Sequence, residues 1–215
     1  MLQLTPKQYV CYIKKVAKQI EEQKDYITEL DAQTGDGDHW LNLNSGFMKL
    51  CQEANRLETM KFSDMFQEMA KIIMSVIGGS SGVLYGSAYM SSVPILNAVD
   101  VMDGPLIAKM LQAWSDAIMA CGDTKPGCKT MVDCIYPAAS AFNQALEENK
   151  TDAEALMILK QEAIKGADST REMEAMRGRA YYQANKGVGH LDPGAVTMSI
   201  QLACFSDFLL ENCMV

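Results

Sequence analysis

Apolar residues recur three and four apart along almost the whole chain, and this spacing limits the fold more than any other feature. Val10, Ile13, Val16, Ala17 and Ile20 make the first stripe, after Thr5-Pro6, a pair suited to a helix cap and first turn. A short helix is predicted over 24–31. Leu43, Phe47, Leu50 and Cys51 mark a third, and Ser63 is the expected cap of a fourth carrying Phe66, Met69, Ile72, Ile73 and Val76. That helix should stop at Gly78-Gly79, because glycine ends helices readily. Leu84, Tyr85, Ala88 and Tyr89 resume the phase, and Leu106, Met110, Trp114 and Ile118 carry it through a helix over 103–120. Later helices are expected from about Thr130, from Thr151-Asp152 to about Lys165, and from Pro193 onward. No stretch alternates apolar and polar residues between turn signals, as a half-buried strand would. The prediction is eight or nine helices, no strands, and one all-α bundle domain over 1–215.

Composition narrows the function classes. The chain has 215 residues, 48% hydrophobic and 21% charged, which suits one sizeable core and argues against disorder. A formal charge of −8 makes nucleic acid and anionic membranes poor partners. Seven cysteines form no CxxC pair and are irregularly spaced, so free thiols in a reducing cytosol are expected and a zinc site is not. No apolar run approaches the roughly 20 residues of a membrane span, and no signal segment is visible, so the expected location is cytoplasmic. The sixteen methionines read as core filler on helices.

Asp31-Ala32-Gln33-Thr34-Gly35-Asp36-Gly37-Asp38-His39 is the densest chemistry-bearing run. Asp36 and Asp38 alternate around Gly37, so both face one point only if the backbone bends tightly, and Gly35 and Gly37 accept positive φ at little cost. Crowded carboxylates repel unless a cation neutralises them. Oxygen donors without thiolates nearby suit a hard ion, Mg²⁺ before Ca²⁺ or Zn²⁺. An EF-hand fails on spacing, since Asn42 or Phe47 would fall on the bidentate Glu position. A solvated acidic turn capping the next helix is the other reading. Asp31 near a helix C-terminus is badly placed for the dipole, which favours a cation there.

Three glycine-rich stretches could hold an anion. Gly78-Gly79-Ser80-Ser81-Gly82 opens a helix with free N–H groups and hydroxyls, or is a plain helix–helix turn. Gly122 to Thr130 resembles a Walker loop, but Cys128 interrupts the motif and no strand precedes it, so that fold is rejected. A lysine and Thr130 still lie at a helix start, where a nucleotide edge could dock. Arg177-Gly178-Arg179 through Asp192-Pro193-Gly194 combines guanidinium groups with a cap-and-first-turn start, suited to phosphate. Of the only two histidines, His39 closes the acidic run and His190 lies inside the last of these stretches.

Taken together, Gly35-Asp36-Gly37-Asp38-His39, Gly78-Gly79-Ser80-Ser81-Gly82 with Leu84-Tyr85-Gly86, Pro126 to Met131, and Arg177 to Tyr181 with Gly189 to Ala195 resemble the nucleotide-binding L subunit of bacterial dihydroxyacetone kinase. The resemblance implies a closed barrel of about eight amphipathic antiparallel helices, with ADP or ATP held through two Mg²⁺ ions at one end. It implies metal ligation by Asp31, Asp36 and Asp38. It puts nucleotide contacts on His39, Trp40, Leu41, Asn42, Ser80, Ser81, Gly122, Thr130, Met131, Arg179, Asp192, Pro193 and Gly194, with Arg179 and His39 offsetting charge in transfer. Family members pass a phosphoryl group to dihydroxyacetone held on a separate K subunit. In the phosphoenolpyruvate-dependent phosphotransferase version, bound ADP is recharged by a phosphohistidine M subunit. A nucleotide-loaded regulator docking on a transcription factor, or a kinase subunit for another small ketose, would carry the same loops. Trp40 stands where the family usually has Gly, Cys128 where it has Asp, and Gln33 and Thr34 where it has Glu and Ile. Trp40 bears on the shape of the pocket mouth.

Overall fold

The computed structural model describes residues 1–215. Helix α1 (Pro6–Glu22) begins at a capping box in which the Thr5 hydroxyl and the Gln8 side chain satisfy each other's backbone N–H groups. Helices α2 (Lys24–Thr34), α3 (His39–Gln52), the single turn α4 (Ala54–Leu57), α5 (Phe62–Val76) and α6 (Gly79–Ser92) follow. Then come α7 (Gly104–Gly122), α8 (Val132–Glu147), α9 (Asp152–Ser169) and α10 (Pro193–Asn212). There are no strands; of two isolated bridges, Leu2 with Met214 ties the termini together and Leu4 with Met102 ties the N-terminal segment to the α6–α7 connection.

The long helices pack in the cyclic order α1, α3, α5, α6, α7, α8, α9, α10 and back to α1, while α2 lies outside against α3 and α10. The expected eight-helix closure is therefore the observed fold. Each helix turns its apolar stripe inward, and 55 buried residues form one continuous core. Tyr9 is central, with ring centroids 4.8 Å from Phe66 and 5.4 Å from Tyr12. Tyr89 stacks 4.8 Å from Trp114. Two polar side chains in the core are paired: Trp114 Nε1 donates to Ser92 Oγ at 2.6 Å, and Gln201 Nε2 donates to Tyr85 OH at 2.7 Å.

Some boundaries differ from the prediction. Helix α5 starts one residue before Ser63, after Lys61 and with no side-chain cap, so Ser63 lies inside the first turn. Helix α2 extends past Asp31 to Thr34, and α9 runs on to Ser169 because Leu159, Ala163 and Ala167 keep its stripe buried. Helix α10 reaches a mean hydropathy of 1.2 over an 18-residue window, enough by composition to cross a membrane, but 72% of that window is buried against the rest of the chain. Its all-round apolarity is that of a helix surrounded by α1, α8 and α9.

Candidate functional site

The α2–α3 turn carries the three aspartates. Asp31 lies in the last turn of α2 and is 8% exposed. Its Oδ2 accepts from the His39 N–H at 3.0 Å, satisfying an N-terminal donor of α3 across the turn. Gly37 has φ +78°, the left-handed region that glycine enters freely. Gly35 serves differently from expectation: its φ is −136°, but a Cβ there would collide with Asp31 Oδ1. One carboxylate oxygen from each of Asp31, Asp36 and Asp38 falls within 4.8 Å of the others. Arg179 approaches Asp36 Oδ2 at 2.6 Å and supplies one positive charge to this acidic group.

The turn opens onto a cavity of about 560 Å³. The starts of four ring helices meet there. From α6 come Gly78, Gly79, Ser80 and Ser81, with no side chain closing the first turn. Asn42, one turn into α3, lies beside Gly78. The α7–α8 connection contributes Gly122, Thr124, Thr130 and Met131. Asp133 holds that connection in place by accepting from the N–H groups of Gly127 at 2.5 Å and Thr130 at 2.8 Å. From α10 comes the Asp192-Pro193-Gly194 turn, where Asp192 Oδ2 accepts from Ala195 N–H at 2.7 Å. The loop between α9 and α10 adds Arg177, Gly178 and Arg179.

Electrostatics differ around the wall. Desolvation pushes the Asp192 carboxyl up to about 7, against the opposing pull of the Ala195 N–H and the Lys129 charge. Burial lowers His39 below its ordinary value, although Asp31 and Asp38 act in the opposite sense. His39 Nε2 lies 2.9 Å from Thr197 Oγ1, and that hydroxyl donates to Gly194 O at 3.2 Å. With the Thr197 proton directed to Gly194 O, the His39 tautomer that fits carries its proton on Nε2 and leaves Nδ1 as an acceptor.

The cavity gathers Asp31, Asp36, Asp38, His39, Asn42, Ser80, Ser81, Gly122, Thr130, Met131, Arg179, Asp192, Pro193 and Gly194 onto one wall system. Trp40 and Leu41 do not belong to it. The Trp40 indole turns back to the helix side, donating to Ile20 O at 3.0 Å beneath the Lys24 ammonium, and Leu41 is 58% exposed on the outer face of α3. Helical geometry explains this: residues one and two positions after His39 point about 100° and 200° away from it. The Trp40 side chain therefore does not line the cavity. Lys129, the lysine of the Gly122–Thr130 stretch, is 2% exposed. Two supporting residues emerge only in the structure. Asp133 lies in the first turn of α8. Thr197 lies one turn into α10, in phase with His39 only after folding.

A divalent cation and a polyanion fit these residues. Three carboxylate oxygens converge, uncapped N–H groups face them across the cavity, and Thr124 Oγ1 on the wall is buried without a partner. The comparisons with known proteins agree in family. The ADP-binding subunit DhaL of the PEP-dependent dihydroxyacetone kinase of Escherichia coli K12 is 28% identical over 201 residues, covering 94% of this chain and 96% of that one. The corresponding PTS-dependent subunit of Lactococcus lactis is 34% identical over 186 residues, covering 85% and 87%. The crystal structure of the dihydroxyacetone kinase from C. freundii in complex with AMP-PNP and Mg²⁺ superposes with a TM-score of 0.73 at 20% identity, over 92% of this chain and 33% of that longer one. The family description "DAK2 domain" matches residues 33–207, and the chain belongs to the DAK2 domain family.

Proposed function

We propose that this chain is the nucleotide-binding subunit of a dihydroxyacetone kinase of the phosphoenolpyruvate-dependent type, working in the cytoplasm. In this reading it holds ADP or ATP with two Mg²⁺ ions at the open end of the ring. The phosphoryl group goes to dihydroxyacetone on a K-type subunit, and a phosphohistidine M-type subunit restores it. The relatives matched across nearly their own length carry that description, which supports the separate-subunit form.

The observation that carries the reading is the convergence of Asp31, Asp36 and Asp38 within 4.8 Å at the mouth of a cavity lined by the uncapped start of α6. Asp31, Asp36 and Asp38 would hold the magnesium, which supplies charge neutralisation for the phosphates. Ser80, Ser81 and the first N–H groups of α6 offer donors to phosphate oxygens. Arg179 balances Asp36 in the structure; with a cation there, its guanidinium is free to face the phosphates. Neutral His39, fixed by Thr197, presents an acceptor to a hydroxyl or a bound water. Gly122, Thr130 and Met131 form the wall suited to the base and ribose. No serine, cysteine or histidine is paired with a general base in the cavity, which fits positioning and charge neutralisation rather than a covalent intermediate on this chain.

The test is calorimetric titration with ADP, with and without Mg²⁺. Wild-type protein should need the cation, and Asp36→Ala should lose about a hundredfold in affinity without a change in helix content. Unchanged affinity in Asp36→Ala would remove the metal assignment. With K and M subunits added, formation of phosphorylated triose separates a working kinase subunit from a nucleotide-loaded regulator, which would form none.

A further inference from the structure

Lys129 is the one lysine among the largest fully buried side chains, and it lies in a loop with left-handed φ (+59°). Its ammonium has no carboxylate partner. It donates to two backbone carbonyls, Thr170 O and His190 O. Thr170 caps the C-terminus of α9, where the helix leaves unpaired carbonyls and a partial negative charge. His190 lies two residues before the Asp192 cap of α10. One side chain therefore grips both ends of the segment that carries Arg177 and Arg179.

The neighbouring bonds close the same base. Gly189 N–H donates to Arg171 O at 2.8 Å, and Asp192 N–H donates to Thr170 Oγ1 at 3.0 Å. Met176 N–H donates to the carbonyl of Cys128, the residue preceding Lys129, at 3.1 Å. Farther out, the loop is held mainly by exposed contacts such as Arg177 with Asp123 and Arg179 with Asp36. Exposed ion pairs contribute little. The buried ammonium is the firm point and the arginine tip is the loose one.

We propose that Lys129 is a positioning residue for nucleotide binding: by joining the exit of α9 to the entry of α10, it sets Arg179 and the Asp192–Gly194 turn against the cavity. This rests on the nucleotide reading above. The test uses Lys129→Met, which keeps the stem and removes the donors. Limited trypsin digestion read by mass spectrometry compares cleavage after Arg177, Arg179 and Lys186 with cleavage after the distant, exposed Lys150. Calorimetry gives the affinity for Mg-ADP. The expected result is loop cleavage about tenfold faster, cleavage after Lys150 unchanged, and affinity about tenfold weaker. Loop cleavage at the wild-type rate, a rise shared equally by Lys150, or a loosened loop with unchanged affinity would each overturn the proposal. If Lys129→Met does not fold, Lys129→Gln, with two donors on a shorter neutral stem, is judged by the same two readouts. Wild-type protein that binds no Mg-ADP overturns both this inference and the nucleotide reading. Wild-type binding with an unmoved variant overturns only the role of Lys129.

Discussion

At the end of the ring where the chain termini meet, α1, α7 and α9 begin with side chains closing the first turn, and of the ring helices there α5 alone begins without one. Thr5 and Thr151 form capping boxes with Gln8 and Glu154, and Asp103 accepts from Leu106 N–H at 2.9 Å. Leu2 and Leu4 fill the middle of that end with no exposed surface, and Leu2 N–H donates to Asp152 at 2.8 Å. At the opposite end, α3, α6 and α8 begin without a side-chain cap, and only α10 has one, from Asp192. Packing could have completed both ends in the same way. At the open end only the start of α6 is left without a side-chain acceptor beside the cavity, while Asp31 and Thr130 take the first N–H groups of α3 and α8. That asymmetry separates a packed end from one that opens on a cavity beside the clustered carboxylates.

The largest effect expected from breaking this contrast is at the closed end. Leu4→Ala should cost about 3 kcal/mol, because the site is fully buried and cannot collapse around the lost atoms. Thermal unfolding should fall by about 6–12 °C, with Mg-ADP affinity within about twofold of wild type. A matching loss of affinity would mean that the two ends are not separable.

The open end should reveal itself through pH. The Asp192 carboxyl is raised to about 7 when folded, above its ordinary value of 3.8. A raised carboxyl means that the folded state binds the extra proton, so the penalty is absent below about pH 4 and complete above about pH 7. Asp192→Asn keeps the cap and removes the charge. Its melting temperature without ligand should exceed that of wild type by about 5 °C at pH 8, with the advantage fading toward pH 4. His39, lowered by burial, favours the unfolded state at acid pH in both proteins, so only the difference between them isolates Asp192. A pH-independent difference would contradict the assignment. Smaller still, Thr151→Ala should cost about 1 kcal/mol through the lost cap, about 3 °C in melting, and leave nucleotide binding alone.

The ring was largely legible in the sequence, because its signal is local. Each helix carries its own stripe, and Thr5-Pro6, Thr151 and Asp192-Pro193 announce their ends. Boundaries slipped where the signal was ambiguous, as at Ser63, a good cap residue one position inside a helix that starts on buried Phe62. The three aspartates of the α2–α3 turn stood close in sequence and were visible for that reason. Trp40 and Leu41, which the resemblance adds to the nucleotide contacts, lie off the cavity wall because helical phase turns them away from His39. Thr197 was not legible as a site residue, and Lys129 was legible only as a lysine at a helix start, not as a buried one. Their roles depend on carbonyls 41 and 61 residues away for Lys129, and on a histidine 158 residues away for Thr197.

The central claim is that three carboxylates on the α2–α3 turn grip divalent ions that hold a nucleotide. Crystals grown with Mn²⁺ and ADP, measured at the manganese absorption edge, test it most directly. The account predicts anomalous peaks among Asp31, Asp36 and Asp38 with the nucleotide phosphates adjoining. A bound nucleotide with no anomalous density among these three side chains would contradict it.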